Sequence, residues 1–130
     1  MTYLVYQRPI SNTTKHIIND APTSDFAEAY YDLLMPTEDN VEALVSTALY
    51  WDIYRPTMII SADDGVSLSL HETFDAGNGR PKQGINVSSL GKHPSMSVGD
   101  LVVDLYENHV YVCMPEGWHH ISSGELKLSI

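Results

Sequence analysis

Val41, Leu44, Val45, Ala48 and Leu49 recur at the i, i+3, i+4, i+7, i+8 spacing of one helical face, and from residue 57 the apolar spacing falls to two. A chain whose hydrophobic period changes in this way packs early helices against a late sheet. That is the α+β class: an N-terminal strand and two helices, then a mainly antiparallel sheet with enough strands to curl toward a barrel. The 130 residues make one domain, 1–130, long enough to bury an ordinary core without staples.

Tyr3 to Gln7 is short, aromatic and β-branched, and Pro9 stops it, so it reads as a strand; polar residues 8–22 then form a loop. Asp25 and Glu28 have the spacing of a capping box, and Phe26, Tyr30 and Leu33 follow at helical spacing until Pro36 ends the helix. Asp25, Glu28 and Asp32 fall on the opposite side of that helix as an acidic stripe. A second helix opens at Thr37, with Glu38 and Asp39 in its first turn. Its outer face, Ala43, Ser46, Thr47 and Tyr50, is small and uncharged, which favours cover by another segment of the chain over cover by a partner.

Thr57 to Ile60 reads as a strand, Ala62 to Gly65 as a turn, and Val66, Leu68 and Leu70 alternate like a further strand. Gly77, Asn78, Gly79, Pro81 and Gly84 make residues 72–84 a long flexible loop. Ile85 to Leu90 is a strand, Leu101 to Tyr106 and His109 to Met114 form a hairpin around Glu107-Asn108, Pro115-Glu116-Gly117 turns the chain, and Leu126 to Ile130 closes the sheet.

Charge narrows the function. The chain carries −10, and residues 16–79 hold twelve acids against Arg55 alone. Such a surface repels phosphate, so direct binding to nucleic acid or an anionic membrane is disfavoured. It suits a protein partner with a basic surface, although like charge also keeps small proteins soluble. No apolar run is long enough for a membrane span, and the first residues lack the pattern of a signal peptide. One cysteine, Cys113, rules out an internal disulfide, and a reducing, cytoplasmic compartment is expected.

Catalytic and cofactor motifs are weak. His119-His120 with Glu116 has metal-ligand chemistry, but adjacent strand residues point to opposite faces. His71-Glu72 lacks the second histidine of a zinc helix, and Asp63-Asp64-Gly65 is shorter than a calcium loop. There is no Walker lysine, no dinucleotide fingerprint and no nucleophile elbow. The expectation is no enzyme, no metal and no cofactor.

The densest motif is Ser95-Met96-Ser97-Val98-Gly99-Asp100, followed by an apolar strand, then Tyr111-Val112-Cys113 and Gly117-Trp118. Over residues 91–121 this resembles the YodL-like family of small domains carried by bacteriophages and conjugative elements, and Tyr3 to Tyr6 and Phe26 to Tyr31 resemble the front of its phage members. The resemblance carries no catalytic residue. It implies a mobile-element origin and interference with host systems. Read by its residues alone, Ser97 to Asp100 is turn architecture, with glycine for the backbone and aspartate to accept amide bonds.

Two functional classes follow. In the first, Asp25, Glu28, Asp32, Glu38, Asp39 and Glu42 occupy a basic groove on a host nucleic-acid-handling defence protein, imitating DNA and inhibiting it in the bacterial cytoplasm. In the alternative, Arg80, Lys82, Lys92, His93 and Trp118 trap a nucleotide-like signal molecule against the sheet and the Gly-rich loop. Self-association is open in both.

Overall fold

The structure, a computed structural model, describes residues 1–8 and 24–121. Six strands, β1 (Thr2–Gln7), β2 (Arg55–Ala62), β3 (Ile85–Ser89), β4 (Leu101–Asp104), β5 (Val110–Cys113) and β6 (Trp118–Ile121), and three helices, α1 (Asp25–Asp32), α2 (Val41–Tyr50) and α3 (Leu70–Gly77), make an α+β fold. The sheet order is β3-β2-β1-β4-β5-β6, and every neighbouring pair is antiparallel. The expected curl toward a barrel does not occur. The sheet is open, with β3 and β6 at its two ends among the described residues.

The first strand takes the centre. Residues 3–7 of β1 are all buried, because β2 and β4 flank the strand and both sheet faces are covered. Leu4 and Tyr6 point with Leu101, Val103, Val110 and Val112 toward α1 and α2, where Leu33, Val41, Val45 and Ala48 complete the larger core. Tyr3 and Val5 point the other way with Met58, Ile60 and Val102, meeting Leu68, Ala76 and Met96 beneath α3. The helical rhythm expected around Val41 is the buried face of α2: Val41, Val45 and Ala48 are fully buried, and Leu44 and Leu49 pack at its margin.

Several local expectations are corrected. The α1 cap is Ser24, whose hydroxyl accepts from the Ala27 amide at 3.2 Å, so Asp25 and Glu28 lie in the first turn rather than forming the box. Residues 38–40 form a turn, and α2 begins at Val41 instead of Thr37. Residues 66–69 are not a strand, and the expected flexible loop contains α3. A complete capping box starts that helix: Ser69 accepts from the Glu72 amide, and Glu72 accepts from the Ser69 amide. The outer face of α2 is exposed rather than covered, with Tyr50 82% accessible. Most of the polar loop at residues 8–22, and the closing strand expected at Leu126 to Ile130, lie outside the described residues.

Candidate functional site

The two early helices form a groove of about 350 Å³ between them. One wall is Asp25, Glu28 and Asp32 from α1; Leu44, Thr47 and Trp51 come from the α2 side, and Ala29 lies between. Helical geometry explains the acid wall, because residues three and four apart share a face about 5–6 Å from each other. None of the three carboxylates has an ion-pair or hydrogen-bond partner for its side chain among the described residues. Asp25 and Glu28 suit the positive end of the helix dipole, whereas Asp32 sits in the last turn, which has no basic residue. A carboxylate there opposes helix stability by some tenths of a kcal/mol, roughly 0.3–1.

The six acids named from the sequence divide into two groups. Glu38 and Glu42 lie against His119 of β6, with Glu38 Oε2 at 2.5 Å from Nδ1 and Glu42 Oε1 at 3.7 Å from Nε2. Asp39 is exposed in the turn before α2. Only Asp25, Glu28 and Asp32 line the groove. Sequence reading supplied that wall but missed Leu44 and Trp51 opposite it, since Leu44 counts as a core position and Trp51 as a helix terminator. The signal was the uncharged outer face of α2.

The alternative ligand set is engaged locally. Arg80 Nη2 lies 3.6 Å from Asp75, and Lys82 pairs with Glu72, whose carboxyl is held down at about 2 by Lys82 and by the Ser69 amide. His93 hydrogen-bonds Ser89 at 3.0 Å, Lys92 is exposed, and Trp118 packs edge-on to Phe74 of α3 at 6.4 Å between centroids. His119 and His120 face opposite ways, as strand geometry requires: His119 meets Glu38, while His120 stacks near His109 and Tyr111. Among the described residues, no group of three or more His, Cys, Asp or Glu side chains is placed to hold a metal ion.

The motif at Ser97 to Asp100 is a turn near the end of β1, with Gly99 and Asp100 buried and Ser97 exposed. Asp100 Oδ2 accepts from the Ser97 amide at 2.8 Å and from Gln7 Nε2 at 3.0 Å, while Gln7 Oε1 accepts from the Thr57 hydroxyl at 2.7 Å. Tyr54 donates to the Gly99 carbonyl at 2.5 Å. Arg8 donates to the Val98 carbonyl at 2.8 Å and to the Tyr30 carbonyl of α1 at 3.0 Å, which ties the turn to the helix that carries the acid wall. Burial pushes the Asp100 carboxyl up to about 6, against the pull of Gln7, the Ser97 amide and Arg8. Sequence reading identified the turn residues but not Gln7 and Arg8.

Cys113 sits beside this turn, and its amide donates to the Asp100 carbonyl at 2.9 Å. Burial, followed by the nearby Asp100 charge, raises the thiol to about 11. Thiol reagents at pH 8 are therefore expected to label the native protein at least ~100-fold more slowly than the unfolded chain. A stopped time course with a chromogenic disulfide checks this, and equal rates would show that the thiol is accessible.

No helix among the described residues is long and apolar enough to cross a membrane. Compared with known proteins, the chain matches no family model, no curated protein and no solved structure.

Proposed function

We propose that this is a host-directed binding protein of phage or mobile-element origin, whose α1–α2 groove takes a basic surface of a nucleic-acid-handling defence protein and thereby blocks it. One observation carries the reading: three carboxylates without partners among the described residues line one wall of a groove that has Leu44 and Trp51 opposite. Lysine or arginine from a partner supplies what those carboxylates lack, and Trp51 offers an aromatic face to a cation or an apolar anchor. Carboxylates about 5–6 Å apart also approach the charge spacing of a phosphate strand. The YodL-like resemblance of residues 91–121 supports the mobile-element context.

The test is affinity capture from bacterial lysate, with the triple variant Asp25→Lys, Glu28→Lys, Asp32→Lys as the control. All three positions are exposed, and the change at Asp32 relieves an unfavourable dipole contact, so the variant should stay folded with less than about 1.5 kcal/mol lost. A partner retained by the native protein should bind the variant at least ~10-fold more weakly, and native binding should weaken steeply with salt. Recovery of the same partners by both proteins would make the acid wall a solvated face. A nucleotide that co-purifies in place of a protein would favour the alternative reading through Arg80, Lys82, Lys92, His93 and Trp118.

A further inference from the structure

Among the described residues, nothing pairs with or covers the β3 edge of the sheet. Natural edge strands carry charge, proline, a bulge or a cover that prevents pairing with another chain. β3, Ile-Asn-Val-Ser-Ser, has no charged residue and no proline, and residues 86–89 are all exposed. Val87 is 37% accessible and the adjacent Leu90 52%.

The register with β2 shows which backbone groups are free. The Asp63 amide donates to the Gly84 carbonyl at 2.8 Å and the Leu90 amide to the Thr57 carbonyl at 2.9 Å. Hydrogen-bonded pairs alternate in an antiparallel ladder, so Gly84, Asn86, Ser88 and Leu90 turn their backbone groups toward β2. Ile85, Val87 and Ser89 therefore turn theirs outward. The Ile85 amide is already satisfied by the Lys82 carbonyl at 3.2 Å. The Ile85 carbonyl and both backbone groups of Val87 and Ser89 remain on the open edge.

We infer that β3 is a self-pairing edge at which two copies of this chain join antiparallel, with Val87 on the two-fold axis, into one continuous sheet. All of the free groups except the Ser89 carbonyl match their own rotated image. Val87 exchanges an amide and a carbonyl with Val87 of the second copy, and each Ser89 amide meets the other copy's Ile85 carbonyl. The ladder would also have each Ile85 amide donate to the other copy's Ser89 carbonyl, but that amide is held by the Lys82 carbonyl at 3.2 Å, so the join rests on the Val87 pair and the two Ser89-to-Ile85 bonds. Charge points to the same occupant. Residues 80–92 contain no acidic residue in a chain of net −10, and Arg80 and Lys82 are paired with Asp75 and Glu72. Two copies can meet here without setting carboxylate against carboxylate, and a two-fold contact is self-complementary by construction.

Sedimentation of the full chain from ~5 to ~500 µM tests the pairing, because a contact this small is expected to be concentration-dependent. The mass should rise from 14.5 kDa toward twice that value, and exchange at the Val87 and Ser89 amides should slow in step. Val87→Pro removes the amide at the axis without touching the β2 ladder, and Val87→Lys sets like charges across the axis while keeping the backbone donor. Both should remain monomeric over the whole range, and the lysine variant keeps the test decisive if the proline variant fails to fold. A single 14.5 kDa species at every concentration would overturn the proposal, and so would a dimer that survives Val87→Lys.

Discussion

Replacing Asp100 by asparagine is expected to raise the unfolding free energy at pH 7.5 by about 2–3 kcal/mol and to leave it nearly unchanged at pH 4. Asp100 is 2% accessible, and burial pushes its carboxyl up to about 6 in the folded protein from the ordinary 3.8. Between those two values the folded chain holds a proton that the unfolded chain has released. Stability therefore falls as pH rises through this window, and above about pH 6 the full cost of the buried charge is present. Asparagine keeps an oxygen for the Ser97 amide and for Gln7 but carries no charge, so its difference from the native protein should vanish as pH falls. Urea titrations of both proteins from pH 4 to 7.5 give the difference directly. An asparagine variant less stable than the native protein at pH 7.5 would mean that the ionised carboxylate is needed by the turn. Asp100→Ala is a separate case, because it removes the acceptor of the Ser97 amide and one of the three acceptors of Gln7 Nε2, which keeps the Pro94 and Ser95 carbonyls at 3.2 and 3.3 Å. At pH 4, where the native charge cost is absent, it should lose about 1–3 kcal/mol.

Gly99→Ala is expected to cost about 3 kcal/mol or more, and to loosen α1 as well as the turn. Gly99 has a φ of +92°, and a Cβ there would lie 2.7 Å from the Leu33 carbonyl oxygen at the end of α1 and 3.1 Å from Arg8 Nη2. The backbone oxygen cannot rotate away as a side chain would, so either the helix end or the turn must move. Movement strains the bonds from Arg8 to Val98 and Tyr30. Gly117→Ala separates the two contributions. Its φ is +81° with nothing within 4 Å of the added carbon, so it should show only the conformational cost of about 1–2 kcal/mol. Equal thermal shifts for the two variants would remove the steric contact at Gly99 from the account.

Much of the secondary structure was legible because it depends on near neighbours. The buried face of α2, the burial of Leu33 after α1 and the β4–β5 hairpin around Glu107-Asn108 all follow from period and turn residues, whereas Phe26 and Tyr30 only pack at the margin and Ala27 and Ala29 take the buried side of α1. Asn108 has the positive φ, 58°, expected where a tight turn reverses a hairpin. α3 was hidden by two conflicting local patterns: alternation at Val66, Leu68 and Leu70 imitates a strand, and the glycines after Gly77 imitate a loop. The Ser69 to Glu72 spacing was the stronger signal, since it satisfies two amides at the helix start.

The sequence by itself determined the α+β class, the helical and strand periods, the acidic bias of residues 16–79 and the glycine-aspartate turn before β4. Each of these is a property of adjacent residues or of summed charge. Tertiary structure alone decided that β1 runs through the centre of the sheet, and that α1 and α2 cover one face while α3 covers the other. It also decided which acids line the groove and which meet His119. The physical reason is range. Gln7 and Asp100 are 93 residues apart, as Glu38 and His119 are 81 apart, and no local period encodes such a meeting. Those partners are chosen by strand order, which sets where each side chain lies, how far it is from water, and therefore what its charge costs.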